Sequence, residues 1–202
     1  MGLNMKKKTL LFCTGLSGSG KTYFINNTIP SGLFYNLRSA TTRPMRDGES
    51  EGNPYFFRDE AYFETEPLAT HLWVNKAFWT PGTPKWLYGV PEFEIYDNLG
   101  QNLIYDVIQP CYVREMMDWF RKNGLHRDYN FRVAYFLPPM NNLETARERA
   151  NMPNDIDVRS TNTCDPIDFL HAGIVPDYIL QARNGILDPY LMRHIARLNK
   201  SK

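Results

Sequence analysis

The chain has 202 residues, with 23 Lys and Arg side chains against 22 Asp and Glu, so its charge is nearly balanced. Such a balance lacks the basic surface expected of a protein that binds bulk nucleic acid or an anionic membrane. No apolar run approaches the length of a bilayer span, and the three widely spaced cysteines fit neither a metal motif nor a disulfide framework. These features favour a single cytoplasmic α/β domain with reduced thiols.

The first half of the chain is predicted from apolar runs and from the Gly and Pro residues that interrupt them. In chain order, we expect a buried strand at 9–14, a helix at 21–27, a strand at 33–36, a loop over 41–54, a strand at 55–57, a short helix after a capping Asp59, a strand at 71–75 and a loop at 80–87.

The second half continues the alternation of helices and strands. We expect a helix at 92–98, a strand at 102–106, a helix at 111–122, a strand at 131–137, a helix at 142–150, a strand at 177–181 and a last helix that begins at Pro189 after Asp188. Strands that alternate with helices predict a parallel sheet covered on both faces.

A phosphate-binding motif follows the first predicted strand. Residues 15–22 read GLSGSGKT, which fits G-x-x-x-x-G-K-[ST] at every defined position. Glycines let the backbone approach phosphate closely, and the helix N-terminus adds a positive dipole end. Lys21 is expected to reach the β- and γ-phosphates of ATP, and the Thr22 hydroxyl to bind Mg²⁺. The predicted ATP-binding residues of this loop are Gly15, Ser17, Gly18, Ser19, Gly20, Lys21 and Thr22.

A second anion site is predicted from residues 39–57, which read SATTRPMRDGESEGNPYFF. Arg43 and Arg46 lie three positions apart around Pro44, and paired guanidinium groups can hold a phosphate. The alternative is a solvated loop in which the arginines pair with Asp47, Glu49 or Glu51.

The two motifs together resemble the guanylate kinase family, whose acceptor-binding segment reads S-x-T-T-R-x-x-R-x-G-E-x-x-G-x-x-Y. The resemblance extends to Tyr88-Gly89 and to FLPP at 136–139. It implies that the acceptor phosphate is held by Ser39, Arg43, Arg46, Tyr55 and Tyr88.

The resemblance further implies a P-loop three-layer fold in three parts. These are a core at 1–31, 100–145 and 164–202, an acceptor-binding insert at 32–99 and a lid at 146–163. The lid would bring arginines over ATP: Arg149 and Arg159 as catalytic groups, together with Lys21 and Arg43, and Arg147 as an ATP contact.

The sequence departs from the family where the acceptor base would bind. The family reads guanine with an acidic residue, but residues 72–76 read LWVNK, so Asn75 is the nearest polar substitute. The family's Asp-x-Asp at a strand end is reduced to Asp106, which is expected to contact the acceptor sugar or a Mg²⁺-bound water. The phosphate site is therefore intact, whereas the base pocket has diverged.

These observations predict an ATP- and Mg²⁺-dependent phosphotransferase that acts on a nucleoside monophosphate, GMP-like or with another base. Its partners would be ATP and the acceptor, with no bulk nucleic acid and no membrane, in a monomer or homodimer. Two alternatives stay open: a kinase of another phosphorylated acceptor such as ribose 1,5-bisphosphate, and a non-catalytic guanylate-kinase-like binding module.

Overall fold

A computed structural model describes residues 7–15, 19–28, 32–65, 86–107, 110–137 and 166–181. Its strands are β1 (Lys8–Gly15), β2 (Tyr35–Asn36), β3 (Ala40–Thr41), β4 (Phe56–Phe57), β5 (Tyr88–Gly89), β6 (Leu103–Val107), β7 (Tyr129–Leu137) and β8 (Tyr178–Gln181). Its α-helices are α1 (Lys21–Thr28), α2 (Glu60–Thr65), α3 (Glu92–Tyr96), α4 (Pro110–Lys122) and α5 (Pro166–Ala172), and Leu125–Arg127 forms a 3₁₀ turn.

The central sheet has five strands in the order β2-β6-β1-β7-β8, and every adjacent pair is parallel. Alternate residues of β1 point to opposite faces, as the strand period requires. Leu10 and Phe12 pack with α4 and α5 residues on one face, whereas Leu11 and Cys13 pack with the α1 residue Phe24 on the other. The predicted parallel sheet with helices on both faces is therefore confirmed.

A second, three-stranded sheet has the order β4-β3-β5. Strand β3 is parallel to β4 and antiparallel to β5, and Ala40 and Phe63 form a small core beneath it. The segment 41–54, predicted to be mostly loop, begins with a strand residue, because Thr41 pairs with Phe57 and Tyr88. Such pairing joins distant segments, so local composition does not reveal it.

The helix ends agree closely with the local signals. Asp59 accepts a hydrogen bond from the Tyr62 N–H at 3.0 Å, which confirms the predicted cap of α2. Helix α5 was not predicted, although Asp165-Pro166 is the same signal that predicted a helix at Pro189. The strand predicted at 71–75 and the helices predicted at 142–150 and from Pro189 lie outside the described residues. No helix within the described ranges has the length and hydropathy needed to span a membrane.

Candidate functional site

The phosphate-binding motif lies at the carboxyl end of β1. Gly15 closes the strand with φ +143°, and a Cβ atom there would lie 2.5 Å from the Phe136 carbonyl oxygen on the neighbouring strand. Only glycine suits such a position. Gly20, with φ +99°, immediately precedes α1. Ser17 and Gly18 lie outside the described residues.

The Lys21 side chain folds back across the end of the sheet. Its Nζ donates a hydrogen bond to the Gly15 carbonyl at 2.7 Å and lies 3.8 Å from Asp106 Oδ1. Lys21 is 6% exposed and Asp106 37%, so the carboxylate faces the open side of the pair. Burial raises the pKa of Asp106, and the Lys21 ammonium opposes that rise.

Two hydroxyl groups near Lys21 fit a magnesium–nucleotide complex. The Ser19 Oγ is buried and has no hydrogen-bond partner among the described residues. A buried hydroxyl without a partner is costly unless a ligand satisfies it. Thr22, the second residue of α1, is exposed and carries the hydroxyl that the motif assigns to Mg²⁺.

The predicted acceptor-binding residues gather around the three-stranded sheet. Arg43 is buried, and its guanidinium lies over the Tyr55 ring at 5.3 Å from the ring centroid. The Tyr55 and Tyr88 rings meet edge to face at 5.8 Å. Ser39 is buried one residue before β3. The structure therefore brings these four predicted residues together.

Glu49 accepts hydrogen bonds from both Arg43 and Arg46. Arg43 Nη2 donates to Glu49 Oε1 at 2.7 Å and to Oε2 at 2.9 Å, and the Arg46 backbone N–H donates to Oε2 at 2.8 Å. Burial opposes ionisation of Glu49, but these hydrogen bonds outweigh it and lower the pKa. The Arg43–Glu49 pair that the alternative reading proposed does form, yet the arginine is buried rather than solvated.

The two regions predicted to bind anions meet near the end of β6. The Tyr105 hydroxyl lies 3.2 Å from Ser39 Oγ, and Asp106, the next residue, faces Lys21. Burial, followed by the charges of Tyr88 and Asp106, raises the pKa of Tyr55. Two adjacent residues of β6, Tyr105 and Asp106, therefore contact Ser39 of one region and Lys21 of the other.

Some predicted site residues cannot be placed, and some contributors were missed. Asn75 and the three lid arginines, Arg147, Arg149 and Arg159, lie outside the described residues. Sequence reasoning missed the Tyr105 hydroxyl and gave Glu49 no role in the site. A tyrosine directly before a strand-end carboxylate was the available signal for Tyr105, but its contact with Ser39 spans 66 positions.

Strand β1, the glycine turn, helix α1 and the parallel sheet define an α/β protein of the P-loop class. No family model matches the chain. It is 36% identical to a guanylate kinase of Mycoplasma pneumoniae over 97 residues, which are 46% of this chain and 39% of that enzyme. It is 38% identical to the guanylate kinase of Sulfurimonas denitrificans over 65 residues, which are 32% of each chain.

A crystal structure of guanylate kinase from Anaplasma phagocytophilum superposes with a TM-score of 0.53 at 20% identity. The superposition covers 96% of this chain and 85% of that one. At that identity the match shows the fold alone. The curated relatives are matched over only 32–39% of their length. Together these matches confirm the P-loop α/β fold and the resemblance to guanylate kinases that the motifs predicted.

Proposed function

We propose that this protein is an ATP-dependent kinase of guanylate kinase type that transfers the γ-phosphate to a nucleoside monophosphate. The observation that carries the proposal is the contact of two adjacent β6 residues with the two sides: Asp106 lies 3.8 Å from Lys21, and the Tyr105 hydroxyl lies 3.2 Å from Ser39 Oγ. A cation on the P-loop side and a buried guanidinium on the acceptor side therefore share one cleft. Phosphoryl transfer requires such an arrangement, because two polyanions must be aligned and their repulsion offset.

Each residue in the cleft has a defined task in this proposal. Lys21 binds the β- and γ-phosphates, while Ser19 and Thr22 lie where hydroxyls can meet the nucleotide and its Mg²⁺. When bound, Mg²⁺ would neutralise part of the charge of the ATP phosphates. Arg43 and the Ser39 hydroxyl hold the acceptor phosphate, and Tyr55, whose pKa is raised, stays protonated and able to donate. The acceptor oxygen is already anionic, so no general base is needed.

The finer assignments extend this proposal to the rest of the chain. We assign residues 32–99 to acceptor binding and residues 146–163 to a lid whose arginines, Arg149 and Arg159, cover the transferred phosphate. Closure of such a lid would keep water from the γ-phosphate.

The segment expected to read the acceptor base differs from that of the guanylate kinase family. Residues 72–76, LWVNK, contain no carboxylate to accept two hydrogen bonds from guanine. This absence favours an altered base, and it also suits an acceptor without a base, such as ribose 1,5-bisphosphate.

A panel assay tests both levels of the proposal. ATP is incubated with each NMP, each dNMP and ribose 1,5-bisphosphate, and ADP release is followed. Lys21→Met should lower turnover by about a hundredfold or more, since a charge that stabilises the transition state is removed. The matched control is Lys122→Met, at an exposed residue of α4.

The outcomes separate the three candidate functions. Preference for a nucleoside monophosphate supports the leading proposal, and exclusive use of ribose 1,5-bisphosphate replaces it with the second. A folded protein that binds ATP but transfers phosphate to no acceptor would establish the non-catalytic binding module instead.

A further inference from the structure

Arg38 occupies the connection between the two sheets. Just before Arg38, the Leu37 N–H donates to the carbonyl of Ile104 in the five-stranded sheet, at 2.9 Å. Just after Arg38, the Ser39 carbonyl accepts a hydrogen bond from the N–H of Phe56 in the three-stranded sheet, at 3.0 Å. Arg38 therefore lies at the single residue where the chain leaves the five-stranded sheet and enters the three-stranded one.

Glu94, on helix α3, holds this residue by both its backbone and its side chain. Glu94 Oε1 accepts hydrogen bonds from the Arg38 backbone N–H at 3.1 Å and from Arg38 Nε at 2.9 Å. Glu94 Oε2 accepts a bond from Arg38 Nη2 at 3.0 Å. The Tyr35 hydroxyl of β2 adds a third bond to Oε1 at 3.0 Å. The guanidinium is thus bound side-on by two carboxylate oxygens, the most directional geometry available to arginine.

The same guanidinium also contacts the acceptor side. Arg38 Nη1 donates to the Gly52 carbonyl at 3.2 Å, and the guanidinium lies over the Phe56 ring at 4.7 Å. Phe56 in turn packs edge to face on Phe93 of α3 at 5.3 Å. One planar group therefore connects strand β2, helix α3, the loop before β4 and strand β4 itself.

Burial makes this connection rigid. The Glu94 side chain is only 2% exposed. An ionised carboxylate at such a depth must keep its partners, because an unpaired buried charge is costly. If Arg38 moved away from Glu94, the buried carboxylate would lose its charged partner. We therefore expect this pair to fix the angle between the two sheets at this point.

We propose that Arg38 is a positioning residue: clamped by Glu94, it sets the three-stranded sheet and the adjacent Ser39 against the end of β6, and so aligns the acceptor phosphate with the γ-phosphate. The catalytic consequence rests on the proposed kinase function, whereas the structural part does not. Ser39 directly follows Arg38 and reaches the Tyr105 hydroxyl across the cleft, so a small rotation at Arg38 displaces the predicted phosphate contact.

The structural part is tested by a distance measurement without substrates. Spin labels are attached at Glu60→Cys on α2 and Lys122→Cys on α4, two exposed positions on opposite sides of the connection, with Cys111 and Cys164 changed to Ser. Pulsed electron paramagnetic resonance then gives the distance distribution. Arg38→Met should broaden or shift this distance distribution. Arg38→Lys keeps the charge but loses the two-point contact of the guanidinium with Glu94, so it should have the same effect in a stably folded protein.

The matched control is Arg58→Met. Arg58 also pairs with a carboxylate, Glu51 at 2.6 Å, and also lies over the Phe56 ring, at 5.7 Å. It also donates to the Phe57 carbonyl at 2.8 Å and lies over the Tyr62 ring at 5.6 Å. All of these partners belong to the segment around the three-stranded sheet, so these contacts do not join that segment to the core. Its distance distribution should superpose on that of the parent protein. Superposition of the Arg38→Lys distribution on the parent would overturn the proposal.

The kinetic part is tested by measuring kcat and the KM values of the acceptor and of ATP separately. Arg38→Lys should raise the KM of the acceptor or lower kcat by about tenfold, because misalignment affects the reacting geometry. The KM of ATP should stay unchanged, since the P-loop is not displaced, whereas general destabilisation would alter both. A parent protein without transferase activity would refute the proposed function but leave the distance result to decide the role of Arg38. An active parent with unchanged Arg38→Lys kinetics would refute the alignment role.

Discussion

Replacing Glu49 by alanine isolates the interaction that holds the acceptor-side arginine. The Arg43 side chain is 3% exposed and that of Glu49 is 17% exposed, with two N···O distances of 2.7 and 2.9 Å. Removal of one partner from a buried pair costs about 3–5 kcal/mol. Because Glu49 retains some contact with water, we expect the lower end, about 3 kcal/mol, or a Tm lower by about 6–12 °C for a domain of this size.

Glu51→Ala is the matched control from the same loop. Glu51 pairs with Arg58 at 2.6 Å, but the two side chains are 52% and 33% exposed. An exposed pair contributes about 1 kcal/mol or less. Urea denaturation at neutral pH measures both variants, and equal destabilisation of Glu49→Ala and Glu51→Ala would show that burial does not strengthen the Arg43 pair.

The pH dependence of the same variant gives an independent check. The native pKa of Glu49 is lowered, so its stabilisation is complete above the ordinary value of about 4.3 and disappears as the pH falls through the native pKa. The stability difference between the parent protein and Glu49→Ala should therefore shrink on acidification. A difference that grew as the pH fell would contradict the assigned ion pair.

Three further predictions concern the cleft. Gly15→Ala should abolish ATP binding, measured by fluorescence titration, since its Cβ would lie 2.5 Å from a backbone oxygen, whereas Gly124→Ala, with no atom within 4 Å, should bind normally. Tyr105→Phe removes the hydroxyl that contacts Ser39 and should raise the KM of the acceptor by about fivefold, the equivalent of one hydrogen bond. Asp106 has a raised pKa, so its ionisation destabilises the native state as the pH rises through that pKa. Asp106→Asn should flatten this dependence in denaturation measured from about pH 4 to 7.

The local parts of the fold were predictable because short segments determine them. The glycines of the phosphate-binding motif, the apolar run before it and the Asp59 cap each act within a few residues of their own position. The alternation of strands and helices likewise predicted a parallel sheet, although not the order of its strands. The strand that ends at Gly15 and the helix that begins at Lys21 therefore followed from sequence alone, while the ATP-binding roles of these residues stay predictions.

The acceptor side was less predictable because its contacts join distant segments. The sequence offered Asp47, Glu49 and Glu51 as equivalent partners for Arg43, and only the turn of the chain selects Glu49. Arg38 meets Glu94 across 56 positions, and no local pattern marks either residue. The three-stranded sheet likewise depends on the pairing of two-residue strands, for which propensity carries little information.

Lys21 and Arg43 are held in different ways, and this difference affects how each side chain could bind a phosphate. Lys21 lies 3.8 Å from the partly exposed carboxylate of Asp106, too far for a hydrogen bond, and burial raises the pKa of that carboxyl. A phosphate can therefore replace Asp106 as the partner of the ammonium at little electrostatic cost. Arg43, in contrast, donates from Nη2 to both oxygens of Glu49, at 2.7 and 2.9 Å, and from Nη1 to the Pro44 carbonyl at 2.7 Å.

A guanidinium has five N–H groups, so Arg43 can keep Glu49 and Pro44 as partners and still donate to a ligand. Part of its donor capacity is nonetheless used by these two partners. In the proposed function the acceptor phosphate would take further contacts from neighbours such as Ser39 and Tyr55. Its alignment would then depend on those neighbours as well as on Arg43, and therefore on the angle between the two sheets at the Arg38–Glu94 pair.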